Sequence, residues 1–125
     1  MIAVFVNGVL VFAGGALGAA LRYWLGFYVS QRVAGRLPLG TLVVNLVGTV
    51  IIGLLASNAA RLGIRPMLFF DIGFVGAFTT FSSLSYETWV LLEQGLFLEA
   101  FLNPVLSVIV GLFGVSLGML VGSVR

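Results

Sequence analysis

The sequence predicts an all-α integral membrane protein with four transmembrane helices, the third of them broken near the bilayer midplane. Three observations predict it. Of 125 residues, 61% are hydrophobic and only 8% charged, with a mean hydropathy of +1.23, whereas a soluble domain keeps about a quarter of its residues charged. Four apolar runs, at about 2–28, 39–60, 67–92 and 102–124, each reach the roughly twenty residues needed to cross the hydrocarbon core. The third run alone carries a dense group of polar side chains: Thr79, Thr80, Ser82, Ser83, Ser85 and Thr88, just after Gly73 and Gly76.

The first run lacks a basic leader and is too long for a signal peptide, so it reads as a retained helix. Gly14 and Gly18 form a small-xxx-small pair, which lets helix backbones approach closely in lipid. Arg22 closes this run beside Tyr23 and Trp24, in the manner of an interfacial aromatic belt with a snorkelling arginine. The second, third and fourth runs lie beside Pro38, Pro66 and Pro104, each placed where a first helical turn spares the missing N–H. Gly114, Gly118 and Gly122 form two further small-xxx-small pairs in the fourth run. The connections are short, giving a single four-helix unit over residues 1–125.

In the second run Thr41, Asn45 and Thr49 recur every four residues and share one helix face. Asn45 lies about 10 Å into hydrocarbon, where an unpaired amide is costly. It either makes an interhelical hydrogen bond or lines a polar pathway. In the third run, counting from Pro66 at about 1.5 Å per residue, Gly76 to Thr80 fall roughly 15–21 Å deep. Glycines and hydroxyls at that depth require protein or a wet cavity beside them. A helix interrupted there places its backbone dipoles at an ion or substrate. Glu87 lies farther along, near the far interface, and Asp71, Glu93 and Glu99 fall near helix ends.

Several function classes are excluded. With no cysteine and no histidine, thiolate chemistry and the commonest acid–base group and metal ligand are absent, and the chain is not expected to be an enzyme. A formal charge of +2 is too small for nucleic-acid binding. Arg22, Arg32 and Arg36 on one side balance Arg61, Arg65 and Arg125 on the other, so positive charge gives no preferred orientation. Two copies in opposite orientation can then pair about an axis in the membrane plane.

Three motifs make the chain similar to the Fluc/CrcB family of bacterial fluoride channels. They are Gly18-x-x-x-Arg22, the Pro38-x-Gly-Thr-x-x-x-Asn-x-x-Gly48 pattern containing Asn45, and Gly73-Phe-x-Gly76-x-x-Thr79-Thr-Phe81-Ser82. The resemblance implies an antiparallel dual-topology homodimer in the bacterial inner membrane, with fluoride as the permeant ion. It also implies a structural Na⁺ held by the backbone carbonyls of Gly76 and Thr79. The implied fluoride pathway runs past Asn45, Phe81, Ser82, Ser83, Ser85 and Ser107, with Gly18, Arg22, Gly48 and Gly73 in structural roles. Many members carry a second phenylalanine three residues after the first; here that position is Leu84, which has no positive ring edge.

The residues themselves fit passive conduction. Fluoride is small and strongly hydrated, so its path must replace water with several weak donors. Two other classes share the layout: a proton-coupled small multidrug-type exporter, and a non-transporting membrane scaffold subunit. The first requires a carboxylate deep in the membrane, and the first span has none. The second leaves the hydroxyl cluster unexplained.

Overall fold

The computed structural model describes residues 1–124 and is helical almost throughout. In chain order the elements are α1 (Ile2–Arg32), α2 (Leu39–Ser57), α3 (Ala59–Leu62), α4 (Ile64–Met67), a π-helical stretch (Leu68–Val75), α5 (Gly76–Phe78), α6 (Phe81–Glu93) and α7 (Phe97–Ser123). Four spans are long and apolar enough to cross a membrane: Ile2–Arg32, Leu39–Ser57, Ile64–Glu93 and Phe97–Ser123. The third is composite, running from α4 to α6 with Thr79 and Thr80 in extended backbone between its halves.

Two seams hold the bundle. Along α1 and the first half of the third span, Gly14 and Gly18 lie directly against the carbonyls of Phe69 and Phe74, where any Cβ would overlap backbone. The π-helical stretch brings Gly73 against Val11, with room for no side chain in between. Along α2 and α7, Gly53 and Gly118 meet backbone to backbone in the same way. The glycine pairs read from the sequence therefore form these seams. In lipid, where no hydrophobic effect joins helices, such close approach supplies the dispersion contacts that hold them together.

The buried apolar core is small: Val44, Val75, Phe78, Leu84, Leu91 and Ala100. Phe5, Phe12, Leu112 and Phe113 are all more than 60% exposed, so the chain presents its large apolar side chains outward. That distribution fits a hydrocarbon solvent and defeats a watery one.

Two span boundaries and the placement of Asp71 differ from the sequence reading. The first span ends at Arg32, four residues past the expected boundary at 28 and ten past Arg22, because Tyr23–Arg32 contains no proline. Arg22 is therefore inside the helix, one turn beyond the Gly18 contact that marks the level of the break, and not at its interfacial end. The fourth span starts at Phe97, leaving Pro104 inside the helix instead of at its first turn. Pro104 removes the N–H that would bond the buried Ala100 carbonyl, a loss that transmembrane helices tolerate where neighbours pack against them. Asn103 supplies such a neighbour contact, donating to the Thr88 hydroxyl on α6 at 3.1 Å. Asp71 lies within the π-helical stretch and not at a helix end.

The turn between the last two spans is fixed by Gly95 at φ +73°, a conformation that favours glycine. The amides of Gly95 and Leu96 bond back to the carbonyls of Leu92 and Leu91 at 3.0 and 2.9 Å, closing the end of α6 as a Schellman motif.

Candidate functional site

The site is built on the interruption between α5 and α6. Thr79 (ψ 159°) and Thr80 (φ −149°, ψ 119°) leave the helical region, while Gly76 stays in it at φ −58°, ψ −35°. Gly73 thus serves packing, Gly76 is exposed with room for a Cβ, and the threonines make the break. Asn45 on α2 holds it. Its Oδ1 accepts the Thr80 N–H at 2.9 Å, and its Nδ2 donates to the Thr80 carbonyl at 3.3 Å. One side-chain amide therefore takes the place of a peptide group for Thr80. Of the two roles open to Asn45 in the sequence, the structure makes the interhelical bond. The amide has a second N–H beyond that pair.

The clasp has a consequence for Gly76. In a continuous helix the Thr80 N–H would bond the Gly76 carbonyl; here it points to Asn45. The Gly76 oxygen is left without its helical donor, at the C-terminal, partially negative end of a half-helix. On the other side of the break α6 begins, with Thr80 as its N-cap: the Thr80 hydroxyl accepts the Ser83 N–H at 3.2 Å. The partially positive end of a thirteen-residue helix therefore faces the same point.

A cavity of about 300 Å³ opens there, lined by Asn45, Thr79, Thr80, Phe81, Leu84 and Ser107 among others. Ser107 on α7 is 9% exposed, and its Oγ is buried with no hydrogen-bond partner among the described residues. A buried hydroxyl left unpaired costs about 1–3 kcal/mol, so this O–H is available to donate to an acceptor in the cavity. Leu84 is buried in the cavity wall. Phe78 cannot act as a second cavity ring, being buried and stacked on Phe74 at 5.6 Å between centroids. Phe81 is 81% exposed in the single chain.

A second cavity, about 350 Å³, lies on the other side of Thr80. Its lining includes Arg22, Thr41, Thr80, Ser83 and Glu87. Ser83 and Glu87, four residues apart, share one face of α6, whose N-cap is Thr80. The Thr80 hydroxyl lies 3.1 Å from Ser83 Oγ and 3.2 Å from Ser82 Oγ, linking three of the clustered hydroxyls. Thr41 donates to Glu87 Oε1 at 2.5 Å, while Glu87 Oε2 is buried without a partner among the described residues. Arg22 and Glu87 line this cavity together without forming an ion pair.

The predicted pathway residues therefore divide. Asn45, Phe81 and Ser107 line the first cavity and Ser83 the second, with Ser82 bonded to the shared Thr80. Ser85 is exposed and donates back to the Phe81 carbonyl at 3.0 Å, so it lies outside both. Gly48 lines the first cavity, where a Cβ would overlap the Thr79 methyl. Gly18 and Gly73 belong to the α1 seam. Sequence reasoning missed Thr41 as the partner of Glu87 and Arg22 as a cavity residue. The four-residue step from Thr41 to Asn45 was the signal for the first; nothing in the composition marks the second.

This geometry defines a class: a multi-pass membrane protein whose third span is two half-helices meeting beside two cavities, the first lined mostly by apolar groups with a few polar ones and the second more polar. Comparison with known proteins gives the particular family. The model for "CrcB-like protein, Camphor Resistance (CrcB)" matches residues 9–119. A Campylobacter jejuni protein named "Fluoride-specific ion channel FluC" is 44% identical over 110 residues, covering 86% of this chain and 90% of that one. A protein of the same name from Shewanella frigidimarina is 42% identical over 114 residues, covering 90% and 92%. One from Rhodospirillum rubrum is 43% identical over 114 residues, covering 86% and 88%. The chain belongs to the CrcB-like family.

Proposed function

We propose that the chain is one subunit of a passive, fluoride-selective channel that lowers cytoplasmic fluoride, working as an antiparallel homodimer in the bacterial inner membrane. The observation that carries this reading is the buried Ser107 hydroxyl, unpartnered among the described residues, in a cavity that the N-terminal end of α6 also lines. Hydroxyls, an amide N–H and helix-end N–H groups offer an anion many weak donors and no trapping full charge. The names of the relatives support fluoride as that anion.

Homodimerisation is supported by Phe81, which a single chain leaves exposed beside polar Ser82 and Ser85 at mid-depth. Lipid covers hydroxyls poorly; a second copy covers both. A structural Na⁺ fits the same break. The Gly76 and Thr79 carbonyls would hold it, since oxygen dipoles without backbone donors suit a hard cation. When bound, the ion supplies positive charge that offsets the cost of bringing an anion into low dielectric.

The proton-coupled exporter is disfavoured by Arg22. A cationic drug approaching Glu87 meets the guanidinium lining the same cavity. Purified protein in liposomes should release fluoride electrogenically, followed with a fluoride electrode once a potassium ionophore provides counter-ion flow, while chloride is retained. Absence of fluoride release, or equal chloride release, overturns the assignment.

A further inference from the structure

A third cavity, about 240 Å³, lies beyond Glu87 toward the loop joining α1 to α2. Its lining includes Arg36, Tyr86, Glu87 and Gln94. Glu87 also lines the second cavity, and Thr80 lines both the second and the first. The three cavities therefore adjoin in sequence, from the helix end near Arg36 to the break at mid-depth. The first contact on this line favours an anion and the next opposes it, since Glu87 carries a carboxyl where the outer and middle cavities meet.

We infer that Arg36 is the anion-recruiting residue at the outer mouth of this line of cavities, and that Glu99 tunes its pull. The inference rests on the fluoride-channel reading above. Among the described lining residues of the outer cavity, Arg36 is the one cation. Its side chain is 72% exposed, and Nη1 donates to Glu99 Oε1 at 3.3 Å. A guanidinium has five N–H donors in a fixed fork. One contact to Glu99 tethers it at the mouth and leaves other N–H groups facing water and the cavity. An exposed pair of this kind adds little to stability. Its effect is on where the positive charge stands. Arg32, on the same end, is held instead over the Tyr28 ring at 4.3 Å and does not line the cavity.

The test is the ionic-strength dependence of fluoride flux in liposomes at fluoride far below saturation. Ionic strength is set with an impermeant gluconate salt from about 10 mM to about 150 mM, which shortens the screening length from about 30 Å to about 8 Å. Wild-type flux should fall over this range. Arg36→Gln should lower the low-salt flux at least about two-fold, the effect of one unit charge about 8 Å away in water, and flatten the salt dependence. Arg36→Lys, which keeps the charge and loses the fork, should keep the salt dependence. Glu99→Gln removes the offsetting charge and should raise low-salt flux. Wild-type flux and salt slope in Arg36→Gln would overturn the inference, as would Arg36→Lys behaving like Arg36→Gln. A wild-type protein that carries no fluoride at any ionic strength would instead overturn the channel reading itself.

Discussion

Replacing Asn45 by alanine tests the clasp on the broken span most directly. The substitution removes two hydrogen bonds, at 2.9 and 3.3 Å, from the backbone of Thr80. Each is worth about 1 kcal/mol net, and the stranded Thr80 N–H adds a desolvation cost of about 1–3 kcal/mol. The sum is about 3–5 kcal/mol. The loss is partly recovered if the Thr80 N–H turns back to the Gly76 carbonyl and the helix heals across the break. For a chain of this size 1 kcal/mol shifts the midpoint by about 3–5 °C, so a fall on the order of 10 °C is expected. The assay is thermal unfolding in detergent followed by the fluorescence of Trp24 and Trp89, with fluoride flux measured on the same preparation. Flux should be lost with stability, because both depend on the extended backbone at Thr79–Thr80. An alanine variant that melts within about 2 °C of wild type and conducts normally would refute the reasoning, since no bond of that worth would then exist.

Ser107→Ala separates conduction from stability. It deletes a hydroxyl that bonds none of the described residues, so the melting temperature should hold while flux falls about ten-fold, the value of one hydrogen bond to a charged ion. Leu84→Phe places a second ring edge in the wall of the first cavity. The half-saturating fluoride concentration in the flux assay should drop about two- to ten-fold, with the protein still eluting as a single species.

Much of this was legible in the residues. The glycine spacing in the first and fourth spans marked the two seams, because close backbone approach needs small residues at a fixed interval whatever surrounds them. The Thr41–Asn45–Thr49 face was legible for the same reason, since helical period places those side chains together without tertiary information. Arg22 was misplaced because hydropathy detects where lipid ends and not where a helix ends; α1 runs on through Tyr23–Arg32. Pro104 misled because a proline at a first turn and one inside a packed transmembrane helix look alike in sequence. The break falls on Thr79 and Thr80, past the glycines, because what sustains it is an amide on another helix. No local propensity records that partner.

Thr80 is the wall shared by the two inner cavities, with its backbone pinned from α2 and its hydroxyl bonded only to other hydroxyls and one amide. That hydroxyl is buried and is also the N-cap of α6, so turning the side chain aside uncaps the helix, at a cost of about 1 kcal/mol. The wall between the two cavities is therefore held by the same bond that starts the second half of the span.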